Sequence, residues 1–204
     1  MQDLIKEQLK KTVGEIHYNG WNNRTTYGYH SYDIGDIHIQ GQRNPKMRLD
    51  EMRKYVDFKD MYVLDLGCNV GAMLHHLEEI YRGVGLDYDK NCIDAANEIS
   101  KILGRKRVNF VTADFDKTNT PYLKSNPDII FILSIGSWVK SWKGLYQQCL
   151  DTGAKLILET NNDTEGKPQL DFFKEQDCKV ELIIDNSNDD CTGNFGRKTY
   201  LING

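Results

Sequence analysis

The sequence lacks the cysteine and histidine patterns that hold disulfides and metal ions. Its cysteines are Cys68, Cys92, Cys149, Cys178 and Cys191. They are odd in number and include no C-x-x-C pair, which excludes a zinc ribbon and argues against a disulfide framework. No H-E-x-x-H motif occurs, and the adjacent His75 and His76 would point about 100° apart on a helix. We expect a reducing, cytoplasmic environment and no structural metal.

Long hydrophobic runs and a large excess of one charge are also missing. The longest apolar runs, such as Ile129–Leu133, are far shorter than the roughly 20 residues of a membrane-spanning helix. The start of the chain does not resemble a signal peptide. Twenty-six basic residues stand against 30 acidic ones, a formal net charge of −4. These features argue against a membrane or secreted protein and against bulk binding of DNA by charge.

No linker rich in proline, glycine or serine divides the 204 residues, and neither does a repeat. A chain of this length is expected to form one structural domain. Two regions nevertheless differ in pattern. Residues 1–60 form a front segment, and residues 61–204 alternate between apolar runs and helical periodicity. We expect an N-terminal cap or lid on one main domain.

The alternation after residue 61 predicts an α/β fold. Strands are predicted at 62–66, 83–86, 108–111, 128–133 and 155–158. Helices are predicted at 71–81, 93–103, 139–150 and 170–175. Two last strands, at 180–184 and 199–202, have no helical pattern between them and are expected to pair antiparallel. The prediction is a doubly wound, seven-stranded, mostly parallel sheet with helices on both faces and a C-terminal antiparallel hairpin.

The front segment has a different composition. Residues 2–13 could form an amphipathic helix, and Arg48–Val56 a second helix that leads into the first strand. Between them, residues 17–43 are rich in glycine and in aromatic rings, among them Tyr18, Trp21, Tyr27, Tyr29 and Tyr32. Such a segment has few aliphatic residues for a core of its own but enough aromatic surface to cover a site. We predict a lid that orders when a ligand binds.

The most informative segment runs from Asp65 to Gly71, between the first strand and the first helix. Its glycines permit a tight turn at the point where nucleotides bind in such folds. Asp87 follows Asp65 by 22 residues, where a carboxylate can reach the two hydroxyls of a ribose. Asp65 would repel a pyrophosphate, and the lysine of a phosphate-binding loop is missing, so the turn favours a cationic ligand.

These segments resemble the class I S-adenosylmethionine-dependent methyltransferases. Asp65–Gly71 is similar to their first motif, D/E-x-G-x-G-x-G, with Asn69 in place of the middle glycine. The resemblance implies that Asp87 holds the ribose, Asp114 the adenine, and that Ser134 faces the transferred methyl group. The cofactor-binding residues it implies are Arg43, Asp65, Gly67, Cys68, Asn69, Gly71, Asp87, Tyr88, Asp114, Phe115 and Ser134.

The front segment adds a looser resemblance. Tyr29–Asp36 and the following Gly41-Gln-Arg43 are similar to the lead-in of a subgroup that includes tRNA wobble-uridine modification enzymes. The resemblance implies that Arg43 pairs with the methionine carboxylate of the cofactor, as a guanidinium fork suits that group. An ion pair on the protein surface is the equal alternative for Arg43.

The methyl acceptor is not identified by the sequence. The leading hypothesis is transfer to an oxygen or nitrogen of a small molecule or an RNA. His30 is then the candidate base for a hydroxyl acceptor, and Tyr29, Trp138 and Glu159 are candidates for binding it. The N/D-P-P-Y/F motif of amine and amide methylases is replaced by Ser134-Ile-Gly-Ser.

Two other classes stay open. One is another enzyme on the same scaffold, an aminopropyl transferase or a nicotinamide dehydrogenase. The other is a subunit that binds the nucleotide without catalysis. The sequence leaves the oligomeric state open.

Overall fold

The computed structural model describes residues 1–12, 28–117, 120–186 and 196–204. Three aromatic residues of the predicted lid, Tyr18, Trp21 and Tyr27, lie outside this part of the chain. In the described residues, no helix is long and apolar enough to cross a bilayer, and no three side chains are grouped to hold a metal ion.

Seven strands form the main sheet. They are β3 (Tyr62–Leu66), β4 (Arg82–Asp87), β5 (Val108–Thr112), β6 (Ile129–Leu133), β7 (Lys155–Glu159), β8 (Lys179–Ile184) and β9 (Thr199–Asn203). Their order is β5-β4-β3-β6-β7-β9-β8, and only β9 runs antiparallel to its neighbours. The order reverses between β3 and β6, which opens a crevice at the carboxyl ends of these strands. The predicted sheet and its closing hairpin are confirmed.

Helices cover both faces of this sheet. They are α1 (Gln2–Lys10), α2 (Pro45–Met52), α3 (Ala72–His75), α4 (Lys90–Leu103), α5 (Trp142–Leu150) and α6 (Asp163–Glu175). A short 3-10 helix, Pro121–Ser125, precedes β6. Successive residues of β3 point to opposite faces, so Val63 joins one buried cluster and Leu64 another. The two clusters explain why these parallel strands read as continuous apolar runs.

Two predicted helices differ most from the structure in their bounds. The helix after β3 is one turn, Ala72–His75, and not the predicted 71–81. The last helix begins at Asp163, because Asn162 caps it by accepting a hydrogen bond from the backbone N–H of Glu165 at 2.9 Å. Pro168 therefore lies inside this helix and does not precede it. An internal proline removes one helical hydrogen bond, which is why sequence reasoning began the helix after it.

The front segment contains a hairpin that the sequence did not predict. Strands β1 (Tyr32–Ile34) and β2 (Ile37–Ile39) pair antiparallel. Their apolar side chains pack with Ile5 and Leu9 of α1 against α4, which forms a third buried cluster. The described part of the front segment thus shares a buried core with the helices of the main sheet and has no separate core of its own.

Candidate active site

A small cavity lies at the carboxyl ends of β3, β6 and β7. Its volume is about 30 Å³, room for roughly two water molecules. Six residues singled out in the sequence line it: Tyr29, His30, Asp65, Gly67, Cys68 and Glu159. Arg48, to which sequence reasoning gave no role, lines it as well. The front segment, through Tyr29 and His30, forms the roof of the cavity.

The glycine-rich turn is held by its own packing. Gly67, Asn69 and Gly71 all have positive φ values, of 76°, 51° and 73°. A Cβ atom on Gly71 would lie 2.3 Å from the ring of Phe110, and one on Gly67 would lie 2.2 Å from Cγ2 of Ile135. These glycines are therefore required by turn geometry and by neighbouring side chains. A glycine at position 71 suggests that a ligand or a neighbouring strand approaches the backbone there, and in the structure the ring of Phe110 on β5 takes that space.

Asp87, at the end of β4, binds the backbone of the turn. Its Oδ2 accepts a hydrogen bond from the N–H of Asn69 at 2.8 Å, and its Oδ1 accepts one from the N–H of Asp89 at 3.0 Å. Burial raises the pKa of Asp87, and these two N–H groups oppose that effect. Asp89, not Asp87, caps α4, by accepting from Asn91. Asp87 is therefore not the cap of this helix.

Asp65 is a buried carboxyl group with an oxygen that lacks a partner. Its side chain is almost fully buried, and Oδ2 has no hydrogen-bond partner among the described residues. Burial raises the pKa of Asp65 to about 7, with Asp87 adding to the effect and Arg48 opposing it. An unsatisfied buried oxygen is costly, so this atom marks a place where a hydrogen-bond donor belongs.

Glu159 forms the centre of a buried ion cluster. Arg43 donates to both of its oxygens, from Nη1 to Oε1 at 3.2 Å and from Nη2 to Oε2 at 3.0 Å. Arg48 Nη2 donates to Oε2 at 2.8 Å, and the Ser134 hydroxyl donates to Oε1 at 2.6 Å. Burial would raise the pKa of Glu159, but Arg48 and Arg43 outweigh it and lower the pKa to about 2. Glu159 is therefore ionised.

This cluster differs from two expectations. Arg43 is fully buried and paired with Glu159, so it is neither on the surface nor presented to a cofactor carboxylate. Glu159 is occupied by these partners and does not offer a free carboxylate to an acceptor. A third arginine, Arg197, lies before β9 with Nη1 3.8 Å from Glu159 Oε1. Its place could not be read from the sequence, because it is 38 residues from Glu159 and no motif surrounds it.

His30 is buried in the roof of the cavity. Its ring lies edge-on to Tyr29 with 4.6 Å between centroids, and Nδ1 has no hydrogen-bond partner in the part of the chain described. Burial, then Arg48 and Arg43, lower the pKa of His30 well below 6.5. The imidazole is therefore neutral, and its environment works against the acceptance of a proton.

Four other predicted residues lie outside the cavity lining. Tyr88 and Trp138 are exposed, with 76% and 80% of their surfaces accessible. Asp114 is a loop residue whose Oδ2 is 3.2 Å from Lys117 Nζ, a contact that lowers its pKa. Phe115 packs against the core beside it. These residues follow β4, β5 and β6, on the same edge of the sheet as the cavity.

A chain of buried hydrogen bonds fastens the front segment to the glycine-rich turn. The Tyr32 hydroxyl donates to the Val70 carbonyl at 2.9 Å and lies 3.2 Å from His75 Nδ1. His75 Nε2 lies 2.9 Å from the Ser100 hydroxyl. Because the Val70 carbonyl can only accept, His75 Nδ1–H donates to Tyr32 and Ser100 donates to Nε2. Burial lowers the pKa of His75 to about 3, which keeps the ring neutral.

Comparison with known families decides the class of the protein. A family model described as "Methyltransferase domain" matches residues 57–156, which span β3 to the start of β7 and include the glycine-rich turn. The matched region is a class I methyltransferase domain. By sequence, the chain matches none of the curated proteins with which it was compared.

Solved structures agree with this methyltransferase on the fold. A SAM-dependent methyltransferase from Aquifex aeolicus is similar with a TM-score of 0.60 and 17% identity, over 80% of this chain and 91% of that one. A precorrin-6y C5,15-methyltransferase from Geobacter metallireducens gives 0.59 and 14%, over 84% and 92%. EvdMO1 gives 0.67 and 14%, over 100% of this chain, which spans 48% of its length.

Proposed function

We propose that this methyltransferase takes its methyl group from S-adenosylmethionine and delivers it to an oxygen or nitrogen of an acceptor. The acceptor is a small molecule or an RNA. The observation that carries the proposal is the unsatisfied Oδ2 of Asp65, buried beside the glycine-rich turn of a methyltransferase domain. The cysteine usage supports a cytoplasmic location.

The residues present fit this cofactor. The ammonium of its methionine end is a donor for Asp65 Oδ2, and pairing with that cation would favour the ionised carboxylate. Asp87 is placed to bind the ribose, because each oxygen has further lone pairs beside its single backbone bond. Tyr88, Asp114 and Phe115 follow β4 and β5 and would contact the adenine.

S-adenosylmethionine supplies a methyl group already activated on a sulfonium sulfur. The protein's task is therefore to align the acceptor with that group and to exclude water. The turn and Asp87 fix the position of the cofactor. The roof residues Tyr29 and His30 close the site above it. His30, neutral with its Nδ1 unpaired, suits hydrogen bonding to the acceptor better than removal of a proton.

Equilibrium binding tests the proposal. S-adenosylmethionine and S-adenosylhomocysteine should bind the wild-type protein in a calorimetric titration, and NAD should not. Binding of NAD alone would support a dehydrogenase instead. Release of adenosylhomocysteine across a panel of acceptors would then separate an enzyme from a non-catalytic subunit, and release of methylthioadenosine would indicate aminopropyl transfer.

A further inference from the structure

Arg197 is a largely buried cation whose hydrogen-bonding capacity is not met. Its side chain is 11% exposed, and Nε has no partner among the described residues. Its nearest carboxylate oxygen, Glu159 Oε1, lies 3.8 Å away. The one hydrogen bond described for its guanidinium is from Nη1 to the Tyr29 hydroxyl, at 2.9 Å. A phenol does not neutralise a buried guanidinium.

Glu159 cannot satisfy Arg197. A carboxylate offers about four lone-pair positions. All four are taken, two by Arg43, one by Arg48 and one by the Ser134 hydroxyl. The distance of 3.8 Å to Arg197 is consistent with that occupancy, since it exceeds hydrogen-bond range. Arg197 therefore needs another oxyanion.

The groups beside Arg197 can donate hydrogen bonds: two hydroxyls, and His30 Nδ1 in the tautomer that carries its proton there. The Tyr29 hydroxyl accepts from Arg197 and so has its own proton to give. The neighbouring His30 ring leaves Nδ1 without a partner. The Thr199 hydroxyl, fully buried two residues along from Arg197, also has no partner in the described chain. One guanidinium with neutral donors around it is an arrangement that binds a carboxylate or a phosphate.

The position of Arg197 in the sheet favours the acceptor over the cofactor as the source of that anion. The proposed ribose and ammonium sites, Asp87 and Asp65, are on β4 and β3. Arg197 precedes β9, which lies three strands beyond β3 on the side away from β4. At about 4.8 Å per strand, the backbones of β3 and β9 are roughly 14 Å apart along the sheet, and the Arg197 guanidinium reaches back as far as Glu159 on β7. The acceptor must lie beyond the methyl group, on this side.

We propose that Arg197, with the Tyr29 hydroxyl and His30 Nδ1, binds an oxyanion of the methyl acceptor, a carboxylate or a phosphate. The proposal rests on the function proposed above and narrows its acceptor to an acid. The roof must move for such a group to enter, since the cavity holds only about 30 Å³.

Anion titrations of the protein saturated with adenosylhomocysteine test the site. Inorganic phosphate and acetate are added at constant ionic strength, balanced with sodium chloride, and the midpoint of thermal unfolding is followed. At least one anion should raise the midpoint in a saturable way. Arg197→Gln should weaken that anion at least tenfold, and Tyr29→Phe several-fold. Lys198→Gln, the matched control on the neighbouring surface pair with Asp163, should respond as the wild type does.

The outcomes are distinguishable. A response to phosphate alone assigns a phosphorylated acceptor, and a response to acetate alone assigns a carboxylic acid. If neither anion acts, or if the Arg197→Gln and Tyr29→Phe variants respond like the wild type, the proposal is wrong. Should Arg197→Gln fail to fold, Tyr29→Phe decides.

Binding of cofactor analogues tests whether the anion at Arg197 is the carboxylate of the cofactor and not a group of the acceptor. If Arg197 held the cofactor carboxylate, Arg197→Gln would weaken the binding of adenosylhomocysteine tenfold. The binding of methylthioadenosine, which lacks that carboxylate, would be unchanged. This result would overturn the proposal. We expect both nucleosides to bind this variant as they bind the wild type. Failure of the wild type to bind adenosylhomocysteine at all would instead overturn the proposed function.

Discussion

Replacement of Asp65 by asparagine tests whether ionisation of this buried carboxyl group destabilises the protein when no cation is bound beside it. The pKa of Asp65 is about 7 in the folded protein against 3.8 for an unperturbed group, a difference of about three pKa units. Each unit corresponds to 1.36 kcal/mol, so the ionised side chain costs the free protein ~4 kcal/mol of stability at pH 8. The folded pKa is the higher one. Stability from this group is therefore present below pH 4 and lost as the pH rises through 7.

The pH dependence isolates this effect from the cost of a buried amide. At pH 5 the penalty is only ~1.6 kcal/mol, because ionisation is resisted over 1.2 pH units and not three. The free energy of unfolding of Asp65→Asn, relative to wild type, should thus rise by about 2.5 kcal/mol between pH 5 and pH 8. Any constant cost of the asparagine cancels in this comparison.

The assay is urea unfolding of the free protein at pH 5, 6.5 and 8. Asp94→Asn, in an exposed pair with Lys90, is the control and should show no such trend. The same Asp65→Asn variant should bind adenosylhomocysteine about 10- to 100-fold more weakly, because a charge-assisted hydrogen bond is lost. If the difference in unfolding free energy between Asp65→Asn and wild type does not change with pH, the raised pKa of Asp65 is refuted. If the affinity for adenosylhomocysteine is unchanged, the proposed contact of Asp65 with the ammonium group is refuted.

Four further predictions follow from the site. Glu159→Gln should lower the free energy of unfolding by about 3 kcal/mol or more, since it leaves buried arginines uncompensated; Glu181→Gln, a control in a partly exposed pair with Lys179, should cost less than about 1 kcal/mol in the same urea assay. Asp87→Ala should weaken adenosylhomocysteine by about 1.5–3 kcal/mol in calorimetry, and an unchanged affinity would contradict the ribose site. Gly71→Val should unfold at a lower temperature even without ligand, because its Cβ would lie 2.3 Å from a buried ring; a wild-type midpoint would contradict this. Proteolysis within residues 17–43 should be slower with adenosylhomocysteine than without, and equal rates would argue against a lid.

The strands of the main sheet could be predicted because their signal is local. The predicted strand Lys155–Leu158 has a short apolar run after its lysine, bounded by polar residues, and the structure extends it by a single residue to Glu159. Parallel strands buried on both faces leave few alternatives for such a run. The predicted helix after β3 is too long, because the helical spacing of Leu74, Leu77 and Tyr81 continues beyond the end of the helix itself.

The residues of the candidate site divide in the same way. Asp65, Gly67 and Asp87 belong to motifs with fixed spacing along one βαβ unit, so sequence reasoning placed them together. Arg43, Arg48 and Arg197 come from the front segment and from the last strand, and they meet only through the fold. Nothing in the sequence indicates that they share Glu159. The resemblance implies that Arg43 binds the cofactor, whereas the structure pairs it with Glu159, because the fold brings these two residues together.

A buried hydrogen bond joins the front segment to the glycine-rich turn, and this link limits how the site can open. Tyr32 donates to the carbonyl of Val70 inside the turn, so the hairpin and the turn must move together or break a buried hydrogen bond. Tyr29 and His30 precede that anchor by only two or three residues. A cavity of about 30 Å³ cannot admit a methionine end and an acceptor unless those two side chains lift. Opening is therefore expected on the Tyr29 side of the Tyr32 anchor, where the roof contacts Arg197, while the glycine-rich turn keeps its shape.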